Sequence, residues 1–119
     1  MLSRLLVFST ILLMCLSSRA LAHASLLESV PQPGAVVAGD NVTIELRFDS
    51  RLDVRFSRIE LLKPNGDAAP LTLLQAADSQ SLLKARGTEL EEGPYILRWR
   101  VLSVDGHANQ GEIKFQIGR

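Results

Sequence analysis

The sequence predicts an all-β sandwich, and three observations carry that expectation. Several stretches place apolar residues at every second position, Gly, Pro and Asn-Gly signals punctuate the chain between them, and nothing after residue 22 sustains a helical period over a dozen residues. Six or seven short strands, each with one apolar side, bury that side best as two antiparallel sheets packed face to face.

The chain opens on Met1-Leu2-Ser3-Arg4, continues with an apolar run from Leu5 to Leu16, and reaches Ala20-Leu21-Ala22. A basic start, a short hydrophobic stretch and small residues at the last and third-last positions read as a secretory signal peptide over residues 1–22. The run from Leu5 to Cys15 is short of the roughly 20 apolar residues of a membrane helix, so no stable membrane insertion is expected. Ala22-His23-Ala24 also fits the cleavage pattern, and a cut after Ala24 would discard His23 with the leader. Large residues precede Cys15 where lipidation wants small ones. Cys15 leaves with the leader, so a domain over residues 23–119 folds without disulfides.

Charge excludes two classes of partner. The leader takes Arg4 and Arg19 out of 13 basic residues and none of the 13 acidic ones, leaving 11 against 13, a net charge of about −2. No basic stripe is left to gather nucleic acid, and no basic amphipathic face to hold a membrane surface.

Gly34 follows two prolines in a stiff opening loop, and Val37-Ala38-Gly39-Asp40 reads as punctuation. Val42, Ile44, Leu46 and Phe48 then alternate with Thr43, Glu45 and Arg47, a half-buried strand. Ile59–Leu62, Leu71–Leu74 and Ser81–Lys84 are less regular strands, and Pro64-Asn65-Gly66-Asp67 is the strongest turn signal because Asn-Gly supplies positive φ angles. After a break at Glu92-Gly93-Pro94, Tyr95, Leu97, Trp99 and Val101 alternate with Arg98 and Arg100, and Ile113, Phe115 and Ile117 with Lys114 and Gln116. In so small a domain Trp99 and Phe115 carry a large share of the core, and loss of either is worth about 3–5 kcal/mol.

Function is legible at one place. Cleavage after Ala22 makes His23 the first residue, whose freed α-amine and Nδ1 can chelate one metal ion. The amine has a reference pKa of about 8, so metal must displace its proton at neutral pH. The other histidine, His107, lies two residues after Asp105, and in an extended segment residues two apart face one side. Gly106 between them leaves room. Three nitrogens and one oxygen from His23, Asp105 and His107 suit Cu(II), for which such ligands have their highest divalent affinity; Zn(II) can use the same donors but prefers a tetrahedron. Met1 and Met14 are both in the leader, so no soft ligand for Cu(I) is encoded beyond it.

Plainer readings stand beside these. Asp-Gly-His is a common hairpin turn, and Ala22-His23-Ala24 can be processing sequence alone. Glu91-Glu92 reads as a solvated turn, and Arg47, Arg51, Arg55 and Arg58 as a solvated sheet face before an anion patch. Ser103 reads as a hydrogen-bonding partner within the Asp-Gly-His loop, with no second histidine to make it a nucleophile once His107 is committed. Asn109 and Gln110 are candidates to orient His107 through its other ring nitrogen.

The chain resembles the CopC-like periplasmic copper-binding (copper resistance) proteins, a family also found fused to CopD-type membrane proteins. The resemblance rests on His23, on Leu26-Leu27-Glu28-Ser29-Val30-Pro31 followed by Gly34, on Ile44-Glu45-Leu46-Arg47-Phe48, and on Val104-Asp105-Gly106-His107 with Gly111 and Phe115. It implies an immunoglobulin-like Greek-key β-sandwich or barrel of about seven strands, located in the periplasm. It implies one Cu(II) per chain, bound by the His23 amine and imidazole, Asp105 and His107. It further implies a role in copper homeostasis or resistance without catalytic turnover, and handover to a CopD-like inner-membrane copper transporter. Some members carry a methionine-rich Cu(I) site, which the absence of methionine after residue 14 puts in doubt here. The rival reading is a metal-free, immunoglobulin-like exported binding or assembly module that docks partners by β-augmentation at an edge strand.

Overall fold

A computed structural model describes residues 25–74 and 81–118. The predicted signal peptide and its cleavage sites, His23 among them, lie outside the described residues. Among the described residues nine strands form two sheets: β1 (Leu26–Val30), β2 (Val36–Ala38), β3 (Val42–Phe48), β4 (Arg58–Leu62), β5 (Ala68–Ala69), β6 (Leu71–Leu74), β7 (Leu82–Gly87), β8 (Gly93–Leu102) and β9 (Ala108–Gly118). The first sheet runs β1-β3-β7-β6 and the second β2-β9-β8-β4-β5, so the chain changes sheet at each step from β1 to β4, and again between β5 and β6 and between β7 and β8. This is an immunoglobulin-like β-sandwich.

Every alternating stretch in the sequence is a strand with its apolar residues in the core. Ile44, Leu46, Leu97 and Val101 are completely buried, and Phe48, Phe115, Leu83 and Leu61 nearly so. Between the sheets, Tyr95 and Phe115 stack with ring centroids 6.0 Å apart. The Tyr95 hydroxyl donates to the Glu91 carbonyl at 2.8 Å, pinning the loop that leads into β8 in the manner of a tyrosine corner.

Three expectations need correction, and one strand, β1, carried no reading in the sequence. Val36–Ala38 is a strand, not punctuation, and it pairs parallel to β9, Val36 with Gln116 and Ala38 with Gly118, so the sandwich is not wholly antiparallel. β1 was hidden because its burial does not alternate with polarity. A bulge between Leu26 and Glu28 breaks the register with β3, leaving Leu27 and Val30 exposed and Ser29 buried. The hairpin at Pro64–Asp67 places only Gly66 at positive φ; Asn65 instead accepts from the Asp67 N–H at 3.0 Å through its side chain. Finally, β8 runs just past Val101 to Leu102 while β9 starts at Ala108, well before Ile113, so the two pair along their length as one long hairpin.

Trp99 lies over Gly111, its cross-strand partner in that hairpin. A Cβ on Gly111 would come within 2.5 Å of the indole, so glycine is the residue that lets the ring lie flat against β9. Among the described residues the Trp99 indole nitrogen is the buried side-chain polar atom without a hydrogen-bond partner.

Candidate metal centre

The β8–β9 hairpin ends in a tight connection, Ser103-Val104-Asp105-Gly106-His107, between the paired residues Leu102 and Ala108. Gly106 has φ +92°, a conformation open to glycine at little cost, and its N–H donates to the Ser103 carbonyl at 2.9 Å. Asp105 and His107 therefore converge through a turn and not through the extended alternation expected from their spacing. They do meet: His107 Nδ1 lies 3.2 Å from Asp105 Oδ2, with both side chains about half exposed.

Ser103 organises the turn from beneath. Its side chain is buried, its hydroxyl donates to the Asp105 carboxylate, and it accepts from the His107 N–H at 3.2 Å. The Ser103 N–H also donates to the His107 carbonyl at 2.8 Å. The Ser103 hydroxyl, and after it the His107 side chain, stabilise the carboxylate and hold the Asp105 pKa below the ordinary range. An ionised Asp105 beside an imidazole is a two-donor arm with the oxygen and nitrogen chemistry of a divalent copper ligand. Among the described residues, no group of three or more His, Cys, Asp or Glu side chains gathers at one point.

The segment after β3 links this turn to the start of the described chain. Ser25 donates its N–H to Asp49 Oδ1 at 2.7 Å and accepts from the Asp49 N–H at 3.0 Å. Two residues further on, the Arg51 carbonyl accepts from the Val104 N–H at 3.0 Å, and Leu52 forms a β-bridge with Ser103. Asp49 was not singled out in the sequence, where an acid at the end of a strand carries no signal of its own. The four arginines read as one group are scattered: Arg47 faces Glu28 at 3.5 Å, Arg55 pairs with Asp53 at 2.9 Å, and Arg58 lies on the other sheet. Glu91 is an exposed turn residue 4.0 Å from Lys63.

Fold, turn and tyrosine corner define a small immunoglobulin-like domain with a polar arm at one end. Residues 26–118 match the CopC domain, and the chain belongs to the CopC family. Copper resistance protein C of Xanthomonas campestris pv. juglandis is 33% identical over 108 residues, covering 85% of this chain and 84% of the relative. The crystal structure of CopC from Methylosinus trichosporium OB3b matches 80% of this chain and 93% of its own at 29% identity and a TM-score of 0.74. PcoC from Escherichia coli, described as a methionine-rich copper resistance protein, covers 82% of this chain and all of its own at 29% identity and a TM-score of 0.68.

Proposed function

We propose that the protein is a periplasmic carrier or buffer that holds one Cu(II) ion through the His23 α-amine and imidazole, Asp105 and His107. The observation that carries this reading is the Asp105–His107 contact on a glycine-hinged turn. The copper resistance relatives support the choice of metal. The tether from Ser25 to Asp49, on the segment bonded to the same turn, supports a contribution from His23, which stands two residues before Ser25. Export and cleavage after Ala22 are supported by the leader pattern of residues 1–22.

Such a site binds and releases; it does not turn over a substrate. The His23 amine and imidazole, Asp105 and His107 would hold the ion, and Ser103 is engaged within the turn. Without a methionine after residue 14, a methionine-based Cu(I) site of the kind the PcoC description suggests is not encoded, so reduction should favour release. Release into a CopD-like inner-membrane transporter gives that step a direction.

Intact mass of the exported protein, followed by Cu(II) titration of forms that start at His23 and at Ser25, tests the reading. The His23 form should take up one ion tightly and the Ser25 form should bind it at least a hundredfold more weakly. Equal binding by both forms would remove His23 from the site. The metal-free module is favoured by a separate observation, the open edge of β1 with Leu27 and Val30 exposed, and it gains first place if neither form binds copper.

A further inference from the structure

We propose that the outer face of the second sheet, beside the Asp-Gly-His turn, is a docking site for an acidic segment of a protein partner that also presents an apolar side chain. The face is laid out in rows by the strand register. Arg58, Arg100 and Gln110 lie side by side across β4, β8 and β9, and one step further from the turn come Glu60, Arg98 and Glu112. The second row balances itself, with Arg98 set between two carboxylates and 3.4 Å from Glu112. The first row does not. Like charges directly opposite one another on neighbouring strands destabilise a sheet, yet Arg58 and Arg100 face each other, and among the described residues neither forms an ion pair.

Next to these arginines, on the side of the turn, the surface becomes apolar. Phe56, at the end of a short 3-10 turn (Val54–Phe56), is 62% exposed, and the Arg55 guanidinium lies 5.4 Å from the centre of its ring. Phe56, Leu102 and Ala108 join Arg58 and Arg100 in lining a groove of about 390 Å³. Leu102 and Ala108 are the last pair before the Asp105–His107 turn, so an occupant of the groove lies against the candidate metal centre. Arginine forks recognise carboxylates in two-pronged fashion, and an exposed aromatic ring beside them supplies an apolar anchor. The domain is otherwise slightly acidic, so this local patch attracts acidic partners by its own arrangement and not by the net charge of the chain.

Docking does not require the metal, so its test is separable from the copper reading on which its biological sense rests. The metal-free protein starting at His23 is titrated, with its amide resonances followed by NMR, with acetyl-Asp-Glu-Leu-Asp-Glu-amide, with its all-lysine counterpart and with inorganic sulfate. The expected result is saturable shifts confined to Phe56, Arg58, Arg100, Leu102 and Ala108 with the acidic peptide alone. They should weaken at least tenfold in the double variant Arg58→Glu with Arg100→Glu, and severalfold in Phe56→Ala. Both variants should keep Trp99 emission and Cu(II) affinity unchanged. Equal shifts with sulfate would reduce the face to a general anion site. Binding that survives the double charge reversal, or self-association of the protein that the reversal abolishes, would equally overturn the proposal. Loss of copper binding with peptide docking intact would overturn the copper reading and leave the docking site standing.

Discussion

At the residue scale the turn depends on three groups with different duties. His107→Ala removes a donor from an exposed position, so it should cost at least a hundredfold in Cu(II) affinity and leave thermal unfolding nearly unchanged. Ser103→Ala deletes a buried hydroxyl that holds the turn together, so it should cost about 1–3 kcal/mol in chemical denaturation and weaken copper binding as well. The same change should return the Asp105 pKa toward its ordinary value, which carbon NMR of the carboxyl in the metal-free protein can follow. The sign is fixed by the direction of the shift. A carboxylate depressed in the folded state adds stability that is fully present above its unfolded pKa and is lost as pH falls through its folded one. This contribution should therefore be lost as pH falls below the ordinary carboxylate range, and in Ser103→Ala, where the shift is smaller, the acid-dependent loss should shrink.

At the scale of elements the long β8–β9 hairpin is what carries the site. Its cross-strand pair of Trp99 and Gly111 lets the indole lie against β9 below the turn. Gly111→Ala puts a methyl group 2.5 Å from the indole, and repacking should cost about 1–3 kcal/mol, read from the denaturation midpoint by the emission of the single tryptophan. The second element is the segment from Asp49 to Leu52, bonded to Ser25 at one end and to Val104 at the other. Asp49→Ala frees the Ser25 N–H while leaving Asp105 and His107 in place. It should weaken Cu(II) binding about tenfold without moving the Asp105 pKa, a split that calorimetry and NMR together resolve.

Strands and site were unequally legible in the residues. β3, β8 and β9 announce themselves because their polar and apolar residues alternate with the pleat. β1 and β2 do not, since a bulge scrambles the first and the second is three residues long with Val36 two thirds exposed. Asp105 and His107 were legible as a pair because two metal-ligating residue types flank a glycine. What brings them together is local: Ser103 bonds within the loop as its position suggested, and the part spacing did not give is the turn conformation itself, with Gly106 at positive φ in place of extended backbone. Asp49 and the facing arginines on β4 and β8 emerge only from strand pairing between distant parts of the chain.

At the scale of the whole molecule, a sandwich without disulfides in its described part relies on interdigitated side chains from both sheets. Phe115 is almost fully buried and stacked on Tyr95, so Phe115→Ala should cost about 3–5 kcal/mol, enough to unfold much of a domain this size at ambient temperature. Copper added to such a destabilised variant should raise its midpoint, because an ion that binds only the folded chain stabilises it by mass action. In the proposed function the sandwich presents one four-donor copper site across the Asp-Gly-His turn and the His23 terminus. Electron paramagnetic resonance of the protein starting at His23, loaded with one equivalent of Cu(II), tests it most directly. The expected spectrum is a single axial signal with coupling to three nitrogens, from the His23 amine, the His23 imidazole and His107, and loss of one of them in His107→Ala. A spectrum that is unchanged in His107→Ala, or identical in the form that starts at Ser25, would contradict it.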